Sequence, residues 1–248
     1  VSNRAWLTGA AAAAASVAVW VTPATAGPPF LTDDPATTPH GEYEILLFGA
    51  QASVADGDEG DYGLDFNYGG GDDLQLTVAV PVSFEQMNGA SRQSGVGNVE
   101  LAAKIRFLHQ DTFGWDVAVF PRVFLPSGSD LGDQHASLLL PIWIGREGEN
   151  WSTFGGGGCA INRGGDSQDY CVAGWALTRR VMPNLEVGGE LFHQTANTEG
   201  GFASTTLGLG ATYDLTEHVH FLGYVGTGLQ NRDDTGRTSW YSSVLFTF

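Results

Sequence analysis

Methionine and cysteine are scarce in this sequence, with 2 of each in 248 residues. Positive charge is scarce as well, at 11 lysines and arginines against 28 acidic residues. Beyond the first few dozen positions there is no long apolar run. A membrane-spanning helix needs roughly 20 consecutive apolar residues, so no helical span is predicted after Gly27. The formal charge of −17 repels nucleic-acid phosphate, and no basic stripe offsets it, which excludes nucleic acid as a partner. Two cysteines with their neighbours supply too few ligands for a metal centre. Neither a metal nor any other cofactor is expected.

What is present begins with a secretion signal. Residues Val1 to Ala26 read as a cleavable signal peptide. Arg4 is the lone positive charge, an apolar stretch runs from Ala5 to Val21, and Ala24-Thr25-Ala26 is a small-x-small cleavage site. Pro23 interrupts the run and alanine adds little apolar surface, which argues against an anchor helix. The expected destination lies beyond the inner membrane. Cys159 and Cys171 suit an oxidising compartment. They flank a loop, Ala160 to Tyr170, rich in Gly, Asp and Asn. On strands entering and leaving that loop their Cβ atoms could meet, as a disulfide requires; two unpaired thiols are the alternative.

Residues 27–40 form an irregular lead-in on the periplasmic side, with four prolines and no periodicity. It is expected to reach the periplasmic mouth as a partial plug. Residues 41–248 form one domain in which a single motif recurs: about ten residues alternating apolar and polar, then a turn. Leu74, Leu76, Val78, Val80, Val82 and Phe84 point one way, against Gln75, Thr77, Ser83 and Glu85. Val99, Leu101, Ala103, Ile105 and Phe107 alternate with Glu100, Lys104 and Arg106. Counting such segments gives about twelve, an even number suited to a single-chain bacterial barrel. The predicted fold is all-β, a transmembrane antiparallel up-and-down β-barrel in the bacterial outer membrane.

The connections support that reading because two kinds alternate. Asp56–Gly60, Gln86–Gly95, Pro126–Asp133, Ala160–Asp169, Asn197–Gly200 and Asn231–Gly236 are polar and often longer. Gly69–Gly71, Gln110–Thr112, Arg146–Gly148, Val181–Pro183 and Leu215–Glu217 are generally tight. Outer-membrane barrels keep short turns in the periplasm and longer loops outside. In the last strand Trp240, Ser242, Val244, Phe246 and Phe248 share a face. Trp240, Val244, Phe246 and Phe248 are read as the signal for the barrel-assembly machinery. Tyr43, Tyr62, Tyr68, Trp115, Trp151, Tyr213 and Trp240 suit interfacial girdles. Outer-membrane lipid and lipopolysaccharide are then partners.

Two stretches carry a family likeness. Pro28-Pro29-Phe30-Leu31-Thr32-Asp33-Asp34-Pro35, followed by Gly41-Glu42-Tyr43-Glu44, resembles the mature start of the meta-pathway phenol-degradation family. Gly174-Trp175-Ala176-Leu177 with Leu185-Glu186-Val187-Gly188-Gly189-Glu190-Leu191-Phe192-His193-Gln194-Thr195 is similar to its most recognisable stretch. The resemblance implies an outer-membrane barrel with a transport role, linked in some members to uptake of aromatic compounds. The cysteine pair departs from the family, where those positions tend to be aromatic.

If the apolar faces meet lipid, the polar faces line a lumen. Glu42, Glu44, Asp65, Asn67, Gln75, Thr77, Glu85, Glu100, Lys104, Arg106, Asp116, Arg122, Arg180, Glu186, Glu190, Gln194, His218 and His220 are the expected lining. Lys104 or Arg106 with Asp116, and Arg180 with Glu186 or Glu190, are the expected ion pairs, since buried charge needs partners or water. The function this points to is a channel or transporter-like barrel for small solutes, with a mild preference for cations or neutral molecules. The alternatives are a structural barrel with a closed lumen and an outer-membrane lipid-modifying enzyme using His135 and Ser137. No catalytic residue is assigned. The acidic run Asp56-Gly57-Asp58-Glu59-Gly60-Asp61 is read as a solvated loop, since its spacing fails the EF-hand pattern.

Overall fold

The computed structural model describes residues 29–248; the expected signal peptide, Val1–Ala26, lies outside them. Fourteen strand segments form one sheet. They are β1 (Tyr43–Val54), β2 (Gly57–Gly71), β3 (Leu74–Met87), β4 (Gln93–Val96), β5 (Val99–Leu108), β6 (Asp116–Val119) and β7 (Arg122–Leu125). The rest are β8 (Ser137–Glu147), β9 (Trp151–Ile161), β10 (Tyr170–Met182), β11 (Leu185–Gln194), β12 (Ser204–Asp214), β13 (Val219–Gln230) and β14 (Thr238–Thr247). β4 and β5 both pair with β3 and make one stave interrupted at Gly97-Asn98. β6 and β7 both pair with β8 and make another, broken at Phe120-Pro121. Pro121 has no N–H to give to a ladder. Twelve antiparallel staves result, and β1 pairs with β14 to close the barrel. Tyr43 and Phe248 exchange both backbone hydrogen bonds at 3.0 Å, sealing the seam.

Closure follows from the alternation. With period two and every stave paired on both sides, one set of side chains faces out along the whole barrel. Leu140, Ile142, Leu177, Leu207, Leu209, Phe221 and Val225 are all exposed, Leu209 at 65% and Val225 at 61%. Leaving a large aliphatic side chain in water forgoes about 2 kcal/mol. A band of them around a closed sheet is stable only against hydrocarbon, so the barrel spans a membrane. Aromatic rings pair on its outer face. Tyr43 stacks on Tyr68 with centroids 4.9 Å apart, and Trp115 meets Trp175 edge-on at 6.4 Å.

The two ends differ, as the connection pattern predicts. At the turn end, where β1 begins and β14 finishes, residues 72–73, 148–150 and 183–184 are tight links. A one-turn helix, α1 (Gln110–Phe113), makes another, with Asp116 Oδ1 accepting from the Gln110 amide at 3.0 Å. At the loop end, residues 126–136, 162–169 and 195–203 are longer. There a second single turn, α2 (Arg232–Thr235), begins after Asn231, whose φ is 47°.

Two connections differ from expectation. Gly69–Gly71 belongs to the end of β2 and the turn is Asp72-Asp73. The β1–β2 link is only Ala55-Asp56, and the rest of the acidic run lies inside β2 rather than in a loop. Glu59 and Asp61 occupy alternate, inward positions opposite Ala52 and Ala50. A strand whose inner face is wet does not end where the residues turn polar. Strand β8 departs from simple alternation too, with Leu139, Pro141 and Trp143 apolar on its inner face.

Candidate functional site

Twelve staves leave a lumen too wide for side chains alone to fill, and the lead-in occupies it. Its prolines keep it out of the sheet, and the barrel wall accepts from three of its backbone N–H groups. Glu190 accepts from the amides of Leu31 (3.1 Å) and Thr32 (2.9 Å). Gln75 Oε1 accepts from the Thr38 amide at 3.0 Å and from its hydroxyl at 3.1 Å. Gln75 in turn donates to Asn67 at 3.0 Å. Lys104 Nζ lies 3.0 Å from Asp33 and 3.8 Å from Asp34. Phe30 sits between Phe154 and Tyr224, each 6.1 Å away between ring centroids.

The wall is shaped to receive this segment. A Cβ added at Gly174 would collide with the Thr32 hydroxyl, one at Gly210 would come within 2.7 Å of the Phe30 ring, and one at Gly145 within 2.7 Å of Pro35. Inward glycines in the middle of strands therefore have a specific use here. They make room for residues 29–40.

Around the plug remains a cavity of about 1210 Å³. Its lining runs from Glu59 and Glu85 near the loop end to Arg180, Glu186 and Asp214 near the turn end, with well over twice as many carboxylates as cations. Arg122 grips Glu100 with two hydrogen bonds of 2.7 and 2.8 Å. Asp34, in the plug, is pushed up to about 7 by burial, partly offset by the nearby Lys104 ammonium. Among the described residues, seven buried side-chain atoms make no hydrogen bond: Thr32 Oγ1, Thr37 Oγ1, Asp65 Oδ1, Trp143 Nε1, His220 Nε2, Tyr224 OH and Ser243 Oγ. Every one belongs to the plug or to an inward-facing position. An interior of dry packing would leave all of them unsatisfied, at about 1–3 kcal/mol each.

The structure places most of the expected lining residues on the cavity: Glu44, Asp65, Asn67, Gln75, Thr77, Glu85, Glu100, Lys104, Arg106, Asp116, Arg122, Arg180 and Glu186. Glu190 is buried under the plug, and His220 is buried with Nδ1 2.7 Å from Asp214. Three lie elsewhere. His218 is exposed in the turn after β12, beside Glu217. Glu42 precedes β1 at the rim, and Gln194 ends β11 at the loop end.

The ion pairs are partly redistributed. Arg180 reaches Glu186 at 3.8 Å, and Arg106 approaches Asp116 at 4.0 Å but holds Asp73 at 3.0 Å. Lys104 turns to the plug instead of Asp116, and Glu190 takes amide hydrogens rather than Arg180. Strand alternation alone could not show that a remote segment would compete for these groups. Asp33, Asp34, Glu59, Asp61, Glu147 and Asp214 also border the cavity. Glu59 and Asp61 carry a period-two signal that extending the second strand to Gly57 would have revealed.

Cys159 and Cys171 are directly opposite each other in the β9–β10 register and are joined by a disulfide, on the outward face. Trp240, Val244 and Phe246 also face outward on β14. His135 and Ser137 are not brought together. The His135 ring packs over Gly164, Ser137 is buried against the interior, and no hydrogen bond joins them.

The family model described as "Putative MetA-pathway of phenol degradation" matches residues 15–239. Among solved structures the barrel is similar to the COG4313 outer membrane channel from Pseudomonas putida F1. That match has a TM-score of 0.70 at 15% identity and covers 87% of this chain and 98% of that one. It is also similar to the NanC porin, with a TM-score of 0.59 at 10% identity, covering 82% and 98%. The KdgM porin follows at 0.56 and 12% identity, covering 83% and 99%. At these identities the likeness is one of fold. No curated protein matches the sequence.

Proposed function

The chain belongs to this phenol-degradation family, and from that premise we propose that it is an outer-membrane conduit for small solutes, gated by its own lead-in segment. The loop end then faces the exterior and the turn end the periplasm. The observation that carries the reading is the 1210 Å³ cavity, whose polar lining extends from one end of the barrel toward the other around the plug. A barrel serving only as a scaffold gives no reason to keep so many charged side chains inside, where each costs desolvation. The excess of carboxylates favours cations and neutral molecules over anions. The family description points to aromatic compounds as solutes.

Reconstitution into planar bilayers tests this. The full-length barrel is expected to conduct weakly, and a barrel lacking residues 29–40 to conduct several-fold more. Silence from both at all voltages would move the reading to a structural barrel with a closed lumen.

A further inference from the structure

The inner wall built by β1, β2 and β3 carries carboxylates that no cation answers. Inward positions on β2 place Glu59, Asp61 and Asp65 in one line, and Glu85 of β3 stands directly across from Glu59. At roughly 3.3 Å per residue the line from Glu59 to Asp65 covers about 20 Å, from the loop end toward mid-barrel. Among the described residues none of these four enters an ion pair, because the nearer cations are committed elsewhere. Arg122 is held by Glu100, and Lys104 by Asp33 and Asp34. Asp61 receives only the Ser83 hydroxyl, at 2.5 Å.

Asp65 adds an independent observation. It borders the cavity, yet its Oδ1 is shut off from solvent and takes no hydrogen bond from the protein. A carboxylate with one oxygen left without a donor gains from a donor brought to it from the cavity side. The neighbouring wall supplies the other half of a recognition surface. Ala50 lies opposite both Asp61 and Tyr241, and Leu46 lies opposite Asp65, with the fully buried Leu245 behind it. Asp61 thus faces the Tyr241 ring across one narrow strand, and Asp65 stands beside the Leu46 side chain. The Ala50 methyl leaves the gap between Asp61 and Tyr241 open, and Phe48 stacks behind Tyr241 at 6.4 Å.

A groove that is acidic along one side and apolar along the other suits one class of molecule. An anion is repelled. A neutral aromatic leaves the carboxylates unanswered. Among the described residues no group of three or more ligands is gathered for a metal ion. We propose that Glu59, Asp61, Asp65 and Glu85 form a binding track for organic ammonium ions with aromatic or aliphatic bodies, Asp65 being its inner station. This rests on the conduit reading above and names a solute class for the same lumen.

Calorimetric titration of the purified full-length barrel in detergent tests the track without requiring conduction. The probes are 2-phenylethylammonium, its neutral counterpart 2-phenylethanol, and 3-phenylpropionate. The ammonium is expected to bind about tenfold or more tighter than the alcohol, and the anion not at all. Asp65→Asn and Asp61→Asn should each weaken ammonium binding by about tenfold and leave the alcohol unchanged. Asp111→Asn, on the remote helix α1, should change nothing. Heat-dependent gel mobility confirms that each variant is a closed barrel; should Asp65→Asn fail to assemble, Glu85→Gln at the mouth takes its place. Equal affinity for alcohol and ammonium, or ammonium binding indifferent to the substitutions, overturns the track. An electrically silent barrel that still discriminates the ammonium overturns the conduit and keeps the track; a conducting barrel that does not discriminate does the reverse.

Discussion

Lys104 Nζ stands 3.0 Å from Oδ1 of Asp33, a residue 71 positions earlier in the chain. The ammonium is 4% exposed as a residue and rests over the Phe120 ring at 4.9 Å. A charge so enclosed needs its partner, and Asp33, like the more distant Asp34 at 3.8 Å, belongs to the plug. Removing one member of a buried pair leaves the other uncompensated. Lys104→Met is therefore expected to release the lead-in at least tenfold more often than in the native barrel, an effect of about 1.4 kcal/mol or more. Proteolysis within residues 29–40 should speed up accordingly while the barrel itself stays resistant. An unchanged cleavage rate would mean that the ion pair does not hold the plug.

Steric displacement offers a route to the same state without touching charge. A side chain at Gly174 meets the Thr32 hydroxyl, so Gly174→Val should expel the plug and raise conductance several-fold. Gly49→Ala is the matched control, since its added methyl finds its nearest neighbour, the Trp240 ring, at an ordinary 3.6 Å. Conductance equal in the two variants would contradict the packing described.

The pH dependence follows from Asp34, which burial raises from its ordinary range to about 7. The plugged state therefore holds a proton that the released segment gives up near pH 4. Plug stability from this group is fully present at low pH and is lost as pH rises through about 7. Each pH unit within that window shifts the equilibrium by at most about tenfold. Conductance should accordingly be larger at pH 8 than at pH 5, and Asp34→Asn should flatten the difference. A profile rising toward acid would be the opposite sign.

The disulfide joins β9 and β10 just below the loop spanning 162–169. That loop bonds the next one, with the Gln168 amide donating to Asn197 at 2.9 Å and the Glu199 amide to Asp166 at 2.7 Å. Replacing both cysteines by serine should leave the barrel closed, since every stave is paired on both sides. Faster amide exchange at Gln168 and Glu199, with little change in β11, is the expected readout. Uniform loosening of the barrel would show that the cross-link bears on more than these loops.

Much of this architecture was legible from period two and from the alternation of short and long connections. The seam, the stave number and the outward apolar band all follow from local pattern. So does the pairing of Cys159 with Cys171, whose register needed only the two strands on either side. The plug was less legible. Nothing in Pro28-Pro29-Phe30-Leu31-Thr32 states which wall it meets, because Glu190 and Gln75 are polar residues like many others on inner faces. The lead-in was expected at the periplasmic mouth as a partial plug, and the inward glycines Gly145, Gly174 and Gly210 are the further sign of where it packs. Glu59 and Asp61 were hidden for a different reason: acidic residues read as a loop when the inner face of a strand is not known to be wet.

The reversal potential of the reconstituted barrel under a potassium chloride gradient bears most directly on the central claim. A water-filled path lined by an excess of carboxylates should give the sign of a cation-selective pore, and removal of residues 29–40 should enlarge the current without reversing that sign. Anion selectivity, or no selectivity in either form, would contradict it.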